Sequence, residues 1–329
     1  MGLRAYVARR IVYSIILIWA VITINFLIFS MLPGDPIAQY VASLKGRIDK
    51  ERYEQLRHDF GLDQPLHVRY LHSLISLLTF NFGREAGSGE PVLNVMKEPM
   101  LNTIILMGTA EVLSIIVGIL LGVIAAYKRD GIIDTVLTTG SLVTYSVPIF
   151  FVGWIVILIF AIQLHWFPAG GWIPDWPRGY VPTSFEYVLA RLRYIVLPTF
   201  TLFLFTVGGW ILLTRACVLE TINEDYVVTA RAKGLKERTV LYKHVLKNAS
   251  LPLITSVALA FASLVGGAII TETLFSYNGM GLLTWHAIYP VPNLPLLQAI
   301  FYISALLVII ANFIADLLYG IIDPRIRYG

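Results

Sequence analysis

The chain has 329 residues, 57% of them hydrophobic and 14% charged, with a mean hydropathy of +0.73. Soluble domains carry about 45–50% apolar and about 25% charged residues, so this composition specifies a polytopic membrane protein. The formal net charge is only +4, and the single cysteine, Cys217, excludes an intrachain disulfide and any cysteine-based metal cluster.

About 20 consecutive apolar residues cross a hydrocarbon core. Six stretches qualify: 11–32, 101–126, 135–163, 194–214, 251–274 and 296–320. The first follows Arg4, Arg9 and Arg10, as a signal peptide would. It is too long for a signal h-region and ends in "LPGDP" rather than a cleavage site, so residues 1–32 read as a retained first span. Pro33-Gly34-Asp35-Pro36 stops that helix, because proline lacks a donor and restricts the residue before it. The segment 33–100 is the only sizeable extramembrane region. Within it, 49–60 and 66–79 carry apolar residues at three- and four-residue spacing and read as short helices.

In the second span Ala110, Ser114, Gly118, Gly122 and Ala126 recur every four residues. Such a ladder admits close approach of another helix backbone, and Ala258, Ala262 and Gly266 repeat the device in the fifth span. Glu111 lies beside the first ladder, where a carboxylate costs about 2.5–3.5 kcal/mol on insertion scales. It either lines a polar substrate pathway or hydrogen-bonds a neighbouring helix. Glu272, at the end of the fifth stretch, is the other candidate pathway residue. Asp316, near the end of the last span, is expected to pair with a basic loop or a lipid head group. The segment 164–193 is aromatic, with Trp166, Phe167, Trp172, Trp176, Tyr180, Phe185 and Tyr187. These rings either stack on a solute or form an interfacial belt.

Basic residues sit at the N-terminus, in the 127–134 turn (Lys128, Arg129), in the 215–250 insert and in the tail 321–329 (Arg325, Arg327). They alternate with the segments 33–100, 164–193 and 275–295. The positive-inside rule then makes both termini cytoplasmic. A basic distribution set by topology argues against a nucleic-acid partner. Residues 101–320 form a core of five spans that includes the basic loop 215–250.

No phosphate loop, H-E-x-x-H or G-x-S-x-G is present, so the chain is expected to hold no cofactor and to catalyse nothing alone. A secondary carrier usually needs a relay of buried ionisable groups, and one well-buried acid is thin support. The insert offers more. In "ARAKGLKERTVLYKHVLKN" (230–248) Gly234 divides two short helices, 222–233 and 236–248, as a C-terminal cap that accepts positive φ. Small residues at Ala230 and Gly234 suit close contact. The pair either docks in a groove of a soluble partner or lies on anionic lipid.

The stretch "EDYVVTARAKGLKERTVLYKHVLKNASLPLIT" resembles the cytoplasmic loop of permease subunits in peptide-type (dipeptide/oligopeptide/nickel) ABC importers. The similarity extends through "LPGDP" (32–36), "FGLDQPL" (60–66), "SVPIFFVGW" (146–154), "WFPAGG" (166–171), "LPTFTL" (197–202), "GGAIITETLF" (266–275), "NFIADLLYG" (312–320) and "DPRIR" (323–327). It implies an all-α, six-helix type I importer permease fold with an outer segment after helix 1. It further implies a second homologous permease, two ATPase subunits that carry ATP and Mg2+, and an external solute-binding protein. The ATPase-coupling residues it implies are Tyr226, Ala230, Arg231, Ala232, Gly234, Leu235, His244, Leu246 and Asn248. Peptide is the implied substrate class, with oligosaccharide or nickel as alternatives. Departures at Tyr277-Asn278-Gly279-Met280-Gly281, at "VPNLPLL" (291–297) and near residue 81 touch the substrate assignment rather than the transport one.

Overall fold

The computed structural model describes residues 3–31, 54, 63–85, 88–177, 180–263, 268–290 and 292–322. Their regular structure is helical, apart from an isolated bridge between Arg84 and Pro91. The expected helix at 49–60 (save Glu54), the Pro33–Pro36 stop, Gly266 of the second ladder and the basic tail lie outside the described residues. Among the described residues five helical runs are long and apolar enough to cross a membrane, or six if one bent pair counts as a single span. Their outward faces carry residues such as Ile15, Ile16, Trp19, Leu120 and Phe151, which suits a hydrocarbon solvent and not water.

The helices divide into two compact units, Met1–Thr103 with Val265–Ile269 and Asn278–Gly329, and Ile104–Leu264 with Ile270–Tyr277. The first contains α1 (Leu3–Met31), α2 (Leu66–Leu78) and the opening turns of α3 (Val92–Tyr127). Helices α10 (Met280–Ile288) and α11 (Leu294–Ile322) complete it. Its core gathers Ile22, Leu77, Met96, Met280, Ala299 and Tyr302. Polar groups fix the packing: Asn25 donates to the Gln298 carbonyl at 3.1 Å, and the Thr103 hydroxyl accepts the Met280 N–H at 2.8 Å. Asp316 pairs with Arg10 at 2.7 Å. Its basic partner is therefore on α1 and not in a loop or a head group.

The second unit holds the rest of α3, then α4 (Ile132–Ser146) and α5 (Ile149–Val156), which continues as a π-helical stretch Ile157–Gln163. After these come α6 (Ser184–Ile222), α7 (Asp225–Ala232), α8 (Leu246–Ser263) and, from Ile270 onward, α9 (Ile269–Leu274). Two of the expected stretches each contain more than one helix. The stretch 135–163 is not one straight helix: α4 and α5 meet at 102°. Pro148 causes the break, since it lacks an N–H and forces Val147 out of the helical region, to φ −79° and ψ 130°. The fifth stretch, 251–274, is likewise two helices, α8 and α9.

Helix ends also run past the apolar windows. α6 has 39 residues, about 58 Å at 1.5 Å per residue, against a hydrocarbon core of about 30 Å. It starts as early as Ser184 because Thr183 and Glu186 form a capping box, with the Glu186 N–H donating to Thr183 Oγ1 at 3.3 Å and the Thr183 N–H to Glu186 Oε2 at 2.9 Å. Glu186 and Tyr187, assigned to a loop by hydropathy, are helical.

The α3 ladder packs against α6 as its spacing implied. All five small residues are buried. A Cβ on Gly118 would overlap Trp210 Cβ, and one on Gly122 would lie 2.6 Å from Thr214 Cβ. Between these helices the Ser114 and Thr206 hydroxyls stand 2.6 Å apart, a hydrogen bond. Close backbone approach and an interhelical hydroxyl pair are what hold helices together where water gives no hydrophobic drive.

Candidate functional site

The basic insert is built on a buried apolar base. Val227 and Ala230 of α7 join Val123 and Ala126 of α3, Cys217 and Val218 of α6, and Val240, Val245, Ala249 and Leu253 in one cluster. The chain between Val240 and Val245 is π-helical. Its i→i+5 period brings residues five apart onto one side, so both valines point into the core before α8 resumes the four-residue rhythm at Ala249 and Leu253. The expected second helix at 236–248 is thus not separate. It is the lead-in to α8.

Gly234 ends α7 with φ +71°. Its N–H donates to the Arg231 carbonyl at 2.9 Å, one of the two bonds of a Schellman-type cap. Across this turn Arg231 Nη2 meets Glu237 Oε1 at 2.7 Å. The pair is solvent-facing and contributes no more than about 1 kcal/mol.

The nine sequence-derived residues separate into two groups. Ala230 is buried in the chain's own core, and Leu246 packs against the same cluster. Ala230 is therefore small to fit its own protein, which corrects the expectation that it makes the close external contact. Tyr226, Arg231, Ala232, Gly234, Leu235 and Asn248 are exposed, with His244 partly so. Val228, which sequence reasoning passed over, is 56% exposed and belongs to this apolar rim. A rim of Tyr226, Val228 and Leu235 on a rigid base, edged by cations, has the form of a helix-in-groove docking element.

Glu111 and Glu272 are not on an open face. Glu111 is half-buried and accepts a hydrogen bond from Trp210 Nε1 at 2.8 Å, between α3 and α6. Glu272 is fully buried at the start of α9, and its carbonyl accepts the Tyr277 N–H at 2.8 Å. The Tyr277 phenol lies beside Arg191. Burial pushes that phenol above its ordinary pKa, Arg191 opposes the shift, and the Glu272 charge adds to it.

Several rings of the aromatic segment have partners within the chain, while Trp166, Tyr180 and Phe185 remain exposed. The Arg191 guanidinium stands 5.4 Å from the Trp172 ring and 5.7 Å from the Tyr187 ring. Trp176 stacks on Tyr180 at 5.3 Å, and Trp166 meets Phe160 at 5.8 Å. Gly171 donates its N–H to the Phe275 carbonyl at 2.7 Å, which ties "WFPAGG" to the segment after α9.

One arrangement escaped sequence reasoning altogether. Asp134 of α4 receives Arg215 of α6 in a two-pronged ion pair, Nε to Oδ1 at 2.6 Å and Nη2 to Oδ2 at 2.7 Å. The Asp130 N–H and the Thr138 hydroxyl also donate to this carboxylate, at 3.0 and 3.1 Å. The Asp134 side chain is only 5% exposed. Asp134 follows a basic turn and Arg215 follows a span, so each reads alone as a topology residue. They stand 81 positions apart, and no local spacing announces the pair.

Comparison with known proteins agrees with this architecture. A family model described as binding-protein-dependent transport system inner membrane component matches residues 118–328, and the corresponding N-terminal model matches residues 3–102. Similar proteins include the probable peptide ABC transporter permease protein y4tP of Sinorhizobium fredii, 35% identical, and the oligopeptide transport system permease protein AppB of Bacillus subtilis, 34% identical. Each match covers 98% of this chain and 99% of the relative. The di/tripeptide transport system permease protein DppB of Pseudomonas aeruginosa is 33% identical over the same shares. Among solved structures, an inward-facing form of the MetNI methionine ABC transporter superposes with a TM-score of 0.55 at 15% identity. It covers 70% of this chain and 97% of that one, a likeness of fold. The chain is mostly helical among its described residues, has the type I ABC permease fold, and belongs to the family of binding-protein-dependent transport system inner-membrane components, the permease subunits of ABC importers.

Proposed function

We infer that this permease moves peptides inward across the cell membrane, in a complex with a second homologous permease, two ATPase subunits and an external solute-binding protein. ATP and Mg2+ reside on the ATPases, and this chain carries no catalytic group. Both termini, the 127–134 turn and the 215–250 loop face the cytoplasm, in keeping with their basic residues. α7 and the Gly234 turn form the ATPase-coupling element, with Tyr226, Val228 and Leu235 as its contact rim and Ala230 and Leu246 as its inner support.

The observation that carries this reading is the α7 turn itself: an exposed apolar and cationic rim on a buried, rigid base. Peptide is supported by the names of relatives that match along nearly the whole chain. Mechanistically, nucleotide on the ATPases and solute in the cavity bias the same two-state equilibrium through α7, which is what coupling requires.

The test is reconstitution of the complete complex in proteoliposomes with ATP on the ATPase side. ATP-dependent, vanadate-sensitive uptake of di- and oligopeptides is expected. Uptake abolished by an uncoupler and indifferent to vanadate would identify a secondary carrier instead. A binding protein that retains oligosaccharides or nickel and ignores peptides would overturn the substrate class alone.

A further inference from the structure

We propose that the Asp134–Arg215 ion pair is the polar link by which movement of the α7 turn is transmitted to α4 and its bend at Val147–Pro148. Asp134 and Arg215 would thus be positioning residues for coupling ATP turnover to transport. The proposal rests on the assignment of α7 as the ATPase-facing element and adds the path beyond it.

The path runs within one compact unit. Val227 and Ala230 of α7 are packed in one apolar cluster with Cys217 and Val218 of α6, so a displacement of α7 must move that end of α6 or open its core. Arg215 stands two residues before Cys217 on the same helix. Its guanidinium is fixed to Asp134 by two parallel hydrogen bonds of 2.6 and 2.7 Å, a geometry that resists rotation as well as separation. Asp134 lies in the first turn of α4 and also holds the Asp130 N–H at 3.0 Å. Asp130 itself sits at φ +61°, so the carboxylate fixes the α3–α4 turn together with α4.

A second contact makes the link stiff. Two turns earlier on α6, Gly208 approaches α4 so closely that a Cβ there would lie 2.7 Å from the Ser141 carbonyl oxygen and 2.6 Å from Thr144 Oγ1. α4 is therefore held on α6 at both ends, by the ion pair near its start and by backbone contact near its finish. Immediately after the second contact comes the 102° break at Val147–Pro148. A rigid α4–α6 pair ending at a proline break is a lever with its hinge in place, because the break lacks the helical hydrogen bond that would resist a change of angle. The groove at this break, about 610 Å3, is lined by Leu142, Val147, Pro148 and Phe151 among others, and a change of angle there reshapes it.

The surroundings fit a link better than simple ballast. A buried ion pair is seldom the most stable choice at its position, since apolar residues of similar volume often serve as well. Its value lies in a directional, all-or-none connection. The Asp134 carboxylate is held by Arg215 on α6 and by the Asp130 backbone N–H, with the Thr138 hydroxyl shared between it and the Asp134 carbonyl.

The test uses the complete reconstituted complex and reads the coupling ratio, solute taken up per ATP hydrolysed, beside assembly and melting temperature. Asp134→Asn and Arg215→Gln are each expected to lower the ratio at least tenfold while the ATPases stay bound and hydrolysis continues. The double variant should be no worse than either single one, because both remove the same link. Asp134→Glu keeps the charge but lengthens the arm, and should fall between wild type and Asp134→Asn. It provides the reading if the Asn variant does not assemble. Coupling within twofold of wild type, with only a lower melting temperature, would overturn the proposal, as would losses that multiply in the double variant. If the wild-type complex binds no ATPase at all, the coupling assignment has failed and not the link.

Discussion

α6 carries a very different construction at each of its two ends. At its C-terminal end the α7 turn buries only apolar side chains and leaves Tyr226, Val228, Leu235 and a set of cations outward. At its N-terminal end the aromatic segment turns its rings on neighbours within the chain: Trp172 and Tyr187 on Arg191, Trp176 on Tyr180, Trp166 on Phe160. A ring already stacked gains little from a further partner, whereas an exposed rim on a packed base loses little conformational freedom when a partner covers it. On the proposed reading the first end is the docking end, and the second pairs several of its rings within the chain while Trp166, Tyr180 and Phe185 stay exposed. Selection of solute is accordingly not expected from Trp172 or Tyr187.

The comparison can be broken most severely at Gly234. Gly234→Val forces a β-branched residue to φ +71°, where a side chain costs about 1–2 kcal/mol or more. No neighbour lies within 4 Å of the position a Cβ would take, so the strain is purely one of backbone conformation. Uptake should fall at least a hundredfold and ATPase co-purification should be lost, with membrane insertion intact. Gly234→Asn, which tolerates positive φ, should retain most activity. Equal uptake by the Val and Asn variants would show that the turn's shape does not matter.

Next in size is the helix pair that supports the turn. Gly118→Ala places a methyl group against Trp210 Cβ and backbone, an overpacking that typically costs about 1–3 kcal/mol. Gly108→Ala on the same helix meets nothing within 4 Å and should be neutral or slightly stabilising, since alanine is the better helix former by up to about 1 kcal/mol. Melting curves in detergent distinguish the two. Equal behaviour would mean that α3 and α6 do not approach as described.

A smaller effect of similar kind is expected at Glu111. Glu111→Leu leaves Trp210 Nε1 without its acceptor, for a loss of about 1–3 kcal/mol. Glu111→Gln retains an oxygen acceptor and should change stability by under about 0.5 kcal/mol, with an unaltered substrate profile. A changed substrate profile in the Gln variant would return this residue to the transport pathway.

The smallest effect belongs to the aromatic end. Trp172→Ala removes one face of the Arg191 sandwich, worth about 0.5–2 kcal/mol in a partly desolvated site. It should lower the melting temperature slightly and leave ATPase binding and solute choice unchanged. An altered solute choice would show that this end does more than hold shape.

What could be read from sequence follows from the range of each signal. The small-residue ladder and the Gly234 cap depend on spacing within one helix or on one backbone angle, and both stand where expected. The hydropathy windows located helical segments but not their ends. α3 and α6 begin before the apolar residues do, and at α6 a capping box extends the helix past the hydrocarbon core. Pro148 was visible inside "SVPIFFVGW", yet hydropathy averages across a proline and cannot register a 102° change of direction. Ala230 illustrates a different limit: alanine suits both a tight external contact and a tight internal one, and only packing distinguishes them. The Asp134–Arg215 pair lay beyond reach because it joins residues that share no helix and no period.

The central claim, that the α7 turn is where this permease meets its ATPase, is tested most directly by a photoreactive side chain at Leu235, with a second at Val181 as the comparison. Both positions are exposed. In the assembled complex, illumination should join the 235 variant to an ATPase subunit with high yield, and the 181 variant should give no such product. Cross-linking of 235 only to lipid, or its labelling from outside intact cells by a membrane-impermeant reagent, would contradict the account.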